Sequence, residues 1–277
     1  MKMWREPKAI KEAIAALERT RNSGMWAPPH PDLPMIASVA ARAAIEALFP
    51  RRNEVLAAYP WANNSDLIFD LWKMGHVRGH VYDATPGHDG LWWRRLISVE
   101  GVVADGIDSL TLNGISDGER RDFRETYYND EAFDTVAYDP PYKFNGNPNG
   151  LPELSERYGV DIPAKWQDRL MMMVDGLIEC IRLTAPGGKI LVKCQDQVVS
   201  GQLRWQTRTL TNVAEMGVYM SKDEPTGWRH VPKARLVDRF DMLGHHIPQP
   251  MNGRKQKHAH GRPSTLLVFE RIQEDKK

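Results

Sequence analysis

Residues 133–146 read FDTVAYDPPYKFNG, in which an apolar run ends in an acid, two prolines and an aromatic residue. Asp139 and Tyr142 flank Pro140 and Pro141, and these prolines remove two backbone N–H donors and fix two φ angles. A residue that precedes a proline is also kept out of the helical region. The chain is therefore rigid where it leaves this predicted strand. Either the turn presents its side chains for chemistry, or it is only a stiff connection.

A second candidate segment, DATPGHDGLWW, begins with Asp83, which closes another predicted strand. Gly87 and Gly90 lie in the loop that follows, and glycines let a backbone approach a bound nucleoside closely. Asp105 comes about 20 residues after Asp83, where nucleoside-binding α/β folds place the acid that binds ribose hydroxyls. Asp108 is a competing candidate for that role.

The acids form a series along the chain. Asp122 belongs to RDFRE, a third predicted strand, and Asp139 follows the fourth. One acid at a strand end is more often a helix N-cap or a turn former. In open α/β sheets, however, ligands bind beyond the carboxyl ends of the strands. Four acids at or near successive strand ends therefore predict a ligand site at that edge.

The elements that must position these acids follow from hydrophobic periodicity. We expect strands at 80–83, 101–106, 121–125, 134–139, 189–194, 234–243 and 264–271, and an amphipathic helix at 164–184. Strands that alternate with helices indicate an α/β fold with a parallel sheet covered on both faces. We expect residues 1–63 to form a helical N-terminal extension and residues 64–277 to form the main domain.

Composition narrows the class of protein. The chain has 277 residues, of which 42% are hydrophobic and 26% charged, as in ordinary globular proteins. We expect no signal peptide and no membrane span, because no apolar stretch is long enough. The two cysteines cannot form a disulfide framework, which favours a reducing, cytoplasmic location.

Together these motifs resemble a known family. The chain has DPPY after the fourth strand, a glycine-containing acidic loop after the first, RDFRE followed by DEAFDTVAYDPPY, and PGGKILVKCQDQ. This combination is similar to the S-adenosylmethionine-dependent amino-methyltransferases of DNA, and the ending GRKQKHAHGRPSTLLVF is similar to that of phage-type members. The resemblance covers residues 64–271. It implies a class I methyltransferase (Rossmann-like) fold, with a seven-stranded mixed sheet whose last strand is antiparallel.

The resemblance also implies a reaction, methyl transfer from S-adenosylmethionine to the exocyclic N6 amine of adenine in DNA. Asp139 and the main-chain carbonyl of Pro140 would accept hydrogen bonds from that amine. Pro141 would stiffen the turn, and Tyr142 would stack on the flipped-out base. Adenine is implied because aspartate at the first position of the turn is commoner for adenine, and serine for cytosine.

The cofactor pocket is likewise implied by the resemblance. It would consist of Asp83, Thr85, Gly87 and Gly90, with Asp105 on the ribose and Asp122 on the adenine part of the cofactor. The family usually has a glycine where this chain has Asp89, and the difference would alter the path of the loop or weaken cofactor binding.

The predicted loop 244–263 is rich in basic residues although the whole chain has a net charge of only +1. Such a run is either a solvated loop or a surface that faces a polyanion. We expect DNA phosphates to contact Arg254, Lys255, Lys257 and Arg262. We expect no metal site, because the nearby histidines, 245, 246, 258 and 260, lack cysteine or paired acidic partners.

Several alternatives remain open at this point. The same turn serves N4-cytosine methylation of DNA, and RNA enzymes that methylate guanine N2 carry a similar one. A third alternative is a DNA-binding scaffold that has lost catalysis. Cys194 followed by glutamine is also reminiscent of the cytosine-C5 methyltransferases, but those place the nucleophile after a proline in the loop after the fourth strand. A buried strand cysteine is the simpler interpretation.

Overall fold

The computed structural model describes residues 61, 63–87, 90–97, 103–116, 118, 120–144, 151–220, 228–242 and 263–273. All of them belong to one compact unit, Ala58–Lys277. The N-terminal extension (except residues 61 and 63), Asp89, the four basic residues and the four histidines of loop 244–263 lie outside the described residues. Those assignments stay predictions.

Fourteen elements make up the described part of the chain. The helices are α1 (Asn64–Lys73), α2 (Leu151–Tyr158), α3 (Trp166–Leu183) and α4 (Gln206–Met216). The long strands are β1 (Gly79–Asp83), β2 (Ile107–Leu112), β3 (Phe133–Tyr138), β4 (Thr184–Cys194), β9 (Ala234–Met242) and β10 (Ser264–Arg271). The short strands are β5 (Gln197–Val199), β6 (Gln202–Arg204), β7 (Val218–Met220) and β8 (Trp228–His230).

The central sheet has six strands in the order β2-β1-β3-β4-β10-β9. The strands β2, β1, β3 and β4 are parallel. The last strand, β10, is antiparallel to both of its neighbours, as expected. This is an α/β fold with the Rossmann-like arrangement of a mostly parallel sheet that was expected, with six strands among the described residues instead of seven.

Two of the predicted strands are wrong. Of residues 101–106, those described form no strand beyond an isolated bridge between Ile97 and Val103, and β2 begins only at Ile107. Residues 121–125, the predicted third strand, form a turn. The remaining predicted strands and the helix at 164–184 are confirmed, with ends that differ by a few residues.

Side chains of the inner strands alternate between two apolar cores. One core contains Tyr82, Tyr138, Ile190 and Phe269 and is covered by residues of α3 and α4. The other contains Val81, Ala137, Leu191 and Val268 and is covered by residues of α1 and by Trp93. Because both faces of the sheet are buried, the middle of each inner strand is apolar, and its polar residues are concentrated towards its ends. Among the described residues, no helix is both long and apolar enough to span a membrane.

Close packing of α3 on β3 fixes the position of the DPPY turn, which follows β3. Gly176 of α3 is the contact point, because a Cβ there would collide with the Tyr138 hydroxyl and lie 2.8 Å from Cδ2 of Phe123. Tyr138 is fully buried and directly precedes Asp139. A shift of α3 would therefore move the end of β3.

We predict that Gly176→Ala lowers the free energy of unfolding by up to about 2 kcal/mol, because overpacking a tight core costs about 1–3 kcal/mol. The better helix propensity of alanine, about 1 kcal/mol, only partly offsets it. Urea denaturation followed by circular dichroism measures the change. Met171→Ala, on the exposed side of α3, is the control and should stay within about 0.5 kcal/mol of the parent. A variant Gly176→Ala as stable as the parent would contradict this packing.

Candidate functional site

The carboxyl ends of the parallel strands bring four polar side chains to one edge of the sheet. Asp83 ends β1, Asn113 follows β2, Asp139 follows β3 and Lys193 lies one residue before the end of β4. Asp83, Asn113 and Lys193 are each at most 8% exposed. The edge is therefore a cluster of largely desolvated polar groups, which is unusual unless the groups are paired or bind a ligand.

Asp83 is held by the loop that follows it. Its Oδ1 accepts a hydrogen bond of 3.0 Å from the N–H of Thr85, and its Oδ2 accepts one of 2.6 Å from Nε1 of Trp93. Burial raises the pKa of the Asp83 carboxyl to about 7, although both hydrogen bonds act to lower it. The nearby Asp139 raises it further.

Two glycines allow this loop to bend close to its neighbours. Gly87 has φ +70°, and a Cβ there would lie 3.3 Å from Nη2 of Arg157. Gly90 has φ +56°, and a Cβ there would lie 2.8 Å from Cδ1 of Leu112. Both conformations are ones that residues with a Cβ rarely adopt. The loop therefore places bare backbone against Arg157 and β2.

The DPPY turn is fastened by hydrogen bonds along its length. The N–H of Asp139 donates to Oγ1 of Thr85 at 2.6 Å, which ties the turn to the loop after β1. The N–H of Tyr142 donates to the carbonyl of Pro140 at 2.7 Å. The carbonyl of Tyr142 accepts from the side-chain amides of Gln197 and Gln206, both at 2.6 Å. Stiffness thus comes from these contacts as well as from the prolines.

The next two residues are fixed in the same way. The N–H of Phe144 donates to Oε1 of Gln197 at 2.9 Å. The carbonyl of Lys143 accepts a hydrogen bond from the buried guanidinium of Arg169 on α3. These contacts hold the exit of the turn against α3 and β5, so the turn has little freedom on either side of its prolines.

The carboxylate of Asp139 has one free acceptor. Its Oδ1 is buried and has no hydrogen-bond partner among the described residues. Its Oδ2 lies 4.0 Å from Nζ of Lys193. Burial raises the pKa of Asp139, and the positive charges of Lys193, Arg157 and Lys143 oppose that rise. An unpartnered buried carboxylate oxygen is costly, and a hydrogen-bond donor on a ligand would satisfy it.

A small cavity lies between the loop after β1, Asn113 and the end of α2. Thr85 and Gly87 line one side of it, and Arg157 and Tyr158 line the other. Arg120 holds α2 there by donating to the carbonyls of Glu156 and Arg157 at 3.0 and 2.9 Å. The space admits little more than one water molecule. As it stands, this cavity is too small for a nucleoside, and the side chain of Arg157 lies against Gly87 on its far side.

The structure does not bring Asp105 to this edge. Asp105 precedes β2, and its carbonyl accepts a hydrogen bond from Nε1 of Trp72, while the adjacent Gly106 carbonyl binds the N–H of Gly79 at the amino end of β1. Asp105 thus lies at the amino edge of the sheet. A strand was expected at 101–106, with Asp105 near its carboxyl end, but β2 begins at Ile107, after Asp105. Asp108, the competing candidate, lies in the amino-terminal half of β2 and is exposed.

Asn113 occupies the position expected for the acid after the second strand. Its backbone N–H donates to the carbonyl of Asp83, and its Nδ2 donates to the carbonyls of Ala84 and Arg121. Its Oδ1 accepts from the N–H of Arg121. Reading IDSLTL as the strand would have identified Asn113 from the sequence.

Asp122 lies in a turn after Arg121, not at the end of a strand. The guanidinium of Arg124 binds both of its carboxylate oxygens. Burial acts to raise the pKa of Asp122, but the hydrogen bonds from Arg124 outweigh it and leave that pKa below its usual value. Asp122 lines an open depression beside α2 together with Arg124 and Ser155.

Cys194 ends β4 with its side chain in the core that faces α3 and α4. It is fully buried, and burial raises the pKa of its thiol far above the usual range. The nucleophile of a cysteine-dependent reaction must form a thiolate. The environment of Cys194 therefore supports the structural role.

Four residues that shape the site are not among those predicted from the sequence. Lys193 faces Asp139, Gln197 and Gln206 bind the turn, and Trp93 binds Asp83. The motif VKCQDQ contains two of them, Lys193 and Gln197, so its position across the end of a strand was the available signal. Which partners those side chains find depends on contacts between distant segments.

Comparisons with known proteins give structural neighbours only. No family model and no curated protein matches the chain. The N-methyltransferase NodS from Bradyrhizobium japonicum WM9, solved with S-adenosyl-L-homocysteine, is 12% identical over 76% of this chain and 86% of its own, with a TM-score of 0.40. A SAM-dependent methyltransferase from Methanosarcina mazei is 9% identical over 73% of this chain and 97% of its own, with a TM-score of 0.32.

A third neighbour is TTHA0409 from Thermus thermophilus, named as a proposed DNA modification methylase and solved with S-adenosyl-L-methionine. It is 13% identical over 56% of this chain and 53% of its own, with a TM-score of 0.32. This chain thus spans about half the length of TTHA0409. Similarity at this level establishes neither an activity nor a cofactor, and the fold assignment depends on the observed strand order.

The raised pKa of Asp83 predicts a pH-dependent stability. The carboxyl has a pKa near 3.8 as an unperturbed group and about 7 when folded, so the folded state binds the proton more tightly. Stability that Asp83 contributes is thus present at low pH and is lost as pH rises from about 4 to about 7.

We predict that, as pH rises through this window, the free energy of unfolding of Asp83→Asn increases relative to that of the parent by up to about 1.4 kcal/mol per pH unit. Urea denaturation at pH 4.5, 5.5, 6.5 and 7.5 measures the difference. A constant difference between the two proteins across the series would show that Asp83 is ionised throughout.

Proposed function

We propose that this chain transfers a methyl group from S-adenosylmethionine to the exocyclic N6 amine of adenine in DNA. The observation that carries the proposal is the buried Oδ1 of Asp139, which no described residue contacts by a hydrogen bond, in a turn fastened at both ends. A rigid acceptor at the carboxyl edge of an α/β sheet is suited to bind and orient one N–H donor of a ligand.

The exocyclic amine of a base is a poor nucleophile because its lone pair is delocalised into the ring. Hydrogen bonds from its two hydrogens to the Asp139 carboxylate and the Pro140 carbonyl favour a tetrahedral nitrogen. The Pro140 carbonyl accepts from the N–H of Tyr142 and has a second lone pair for the substrate. Pro141 and the two glutamine amides on Tyr142 keep both acceptors in place.

The edge beside the turn has the groups that a nucleoside cofactor needs. Asp83, Thr85 and the bare backbone at Gly87 and Gly90 form the loop after β1, and they would hold the cofactor. When bound, S-adenosylmethionine supplies an electrophilic methyl group on its sulfonium. Asp122 remains a candidate at this edge, while Asp105 has no part in the proposed site because it lies at the other edge.

If DNA is the substrate, the target base must be flipped out of the duplex so that its exocyclic amine can reach this pocket. The ring of Tyr142 is only partly buried and would stack on the base, a contact worth about 1–3 kcal/mol. Phosphate contacts from Arg254, Lys255, Lys257 and Arg262 belong to the same proposal, and they would make binding weaken as salt rises.

We predict that Asp139→Asn lowers the rate of methyl transfer to DNA by about 100-fold or more, the size of effect seen when one preorganised polar group is removed. Affinity for S-adenosylmethionine, measured by calorimetry, should change little. Asp108→Asn, an exposed aspartate on β2, is the matched control and should behave as the parent. If Asp139→Asn methylates DNA at the parent rate, the proposed role of the turn is wrong.

The substrate is identified by incubating the protein with DNA or RNA and isotopically labelled S-adenosylmethionine. We expect labelled N6-methyladenine from DNA in nucleoside mass spectrometry. Labelled N4-methylcytosine would show that the target base is cytosine and not adenine. Methylation of RNA alone would overturn the assignment of DNA as substrate. Failure to bind S-adenosylmethionine would indicate a scaffold without catalysis. Sequencing methylated positions in DNA from expressing cells then gives the recognition sequence.

A further inference from the structure

Lys193 is a buried cation that the proposed reaction does not yet use. It lies near the carboxyl end of β4 and is only 8% exposed. Taking an ammonium group out of water is costly unless other groups compensate it. Its position therefore needs a reason, and its surroundings supply one.

Three kinds of contact surround the ammonium group of Lys193. Its Nζ donates to Oδ1 of Asn64 on α1 at 2.8 Å and lies 4.0 Å from Oδ2 of Asp139. It also lies 5.8 Å from the ring centre of Trp92 and 5.7 Å from that of Tyr142. The charge is thus held between α1, the loop after β1 and the DPPY turn.

Lys193 differs from the other charges around Asp139 in being fixed and desolvated. Arg157 on α2 and Lys143 beyond the turn also act on Asp139, but both are exposed and are screened by water and salt. In the part of the chain that the structure describes, the other titratable neighbours are Asp83 on β1, Tyr142 in the turn and Tyr158 on α2. Among the described residues, Lys193 is therefore the main positive charge that faces the carboxyl group from a fixed and desolvated position.

This geometry also selects which oxygen is free. Oδ2 of Asp139 faces Lys193, while Oδ1 has no partner among the described residues. A carboxylate with one oxygen beside a fixed cation presents the other as an acceptor. A neutral carboxylic acid would be a weaker acceptor there.

We propose that Lys193 is a positioning residue that keeps the half-buried Asp139 carboxyl ionised and turns its buried oxygen, Oδ1, towards the substrate amine. This inference rests on the proposed function for its consequence in catalysis. The electrostatic link between Lys193 and Asp139, however, is a property of the chain alone and is measured without substrate or cofactor.

The direct test is a carbon-13 NMR titration of the protein labelled at the aspartate side-chain carboxyl carbons, with the Asp139 signal assigned by its loss in Asp139→Asn. Lys193→Met should raise the pKa of Asp139 by about one to three units, since an opposite charge within about 4–6 Å has an effect of this size. Lys193→Arg keeps the charge and should stay close to the parent. Lys189→Met removes a lysine from the same strand, where it pairs with Glu270 away from the site, and should leave Asp139 unchanged.

An unchanged pKa of Asp139 in a folded Lys193→Met protein, checked by circular dichroism, overturns the inference whatever the substrate is. If Lys193→Met does not fold, Lys193→Gln removes the charge and keeps a donor for Asn64, and the same criterion applies. In single-turnover methylation of DNA, the acid limb of the pH–rate profile should move to higher pH by the same one to three units. A parent protein that methylates no DNA rejects the proposed function and leaves the titration result standing.

Discussion

Burial of Asp83, and of one carboxylate oxygen of the partly exposed Asp139, at the ends of neighbouring parallel strands is the constraint on which the rest of the site depends. Burial raises the pKa of both carboxyl groups, and the charge of Asp139 raises that of Asp83 further, so each carboxyl group needs compensation from elsewhere in the fold. Hydrogen bonds from Trp93 and Thr85 compensate Asp83, and the positive charge of Lys193 compensates Asp139. These partners come from β4 and from the loop after β1, which explains why that edge is so polar while both faces of the sheet are apolar.

The same contacts couple the two halves of the edge. Thr85 donates its N–H to Asp83 and accepts the N–H of Asp139 on its hydroxyl, so the loop after β1 and the DPPY turn are fixed relative to each other. On the far side, Gln197 and Gln206 hold the carbonyl of Tyr142. The geometry of the turn thus depends on residues more than 50 positions away in both directions, and not only on its prolines.

Much of the architecture was predictable because it follows from local periodicity. The strands that end at Asp83 and Asp139, the helix α3 and the last two strands all carry apolar patterns long enough to be recognised. The second strand was misplaced because GVVADG is more apolar than IDSLTL, and only pairing with β1 shows which segment joins the sheet. That error moved the expected ribose acid from the position of Asn113 to Asp105, at the opposite edge.

The sequence by itself determined the fold class, the DPPY turn and the strand-end acids at Asp83 and Asp139, because these are properties of short segments. Only the tertiary structure decided which oxygen of Asp139 is free, which cation faces it, and that α2 lies over Gly87. The physical reason is that charge state and hydrogen-bond partners depend on burial and on neighbours within about 4–6 Å. Those neighbours, Asn64, Trp92 and Lys193, are far apart in the chain and meet only when the sheet has formed.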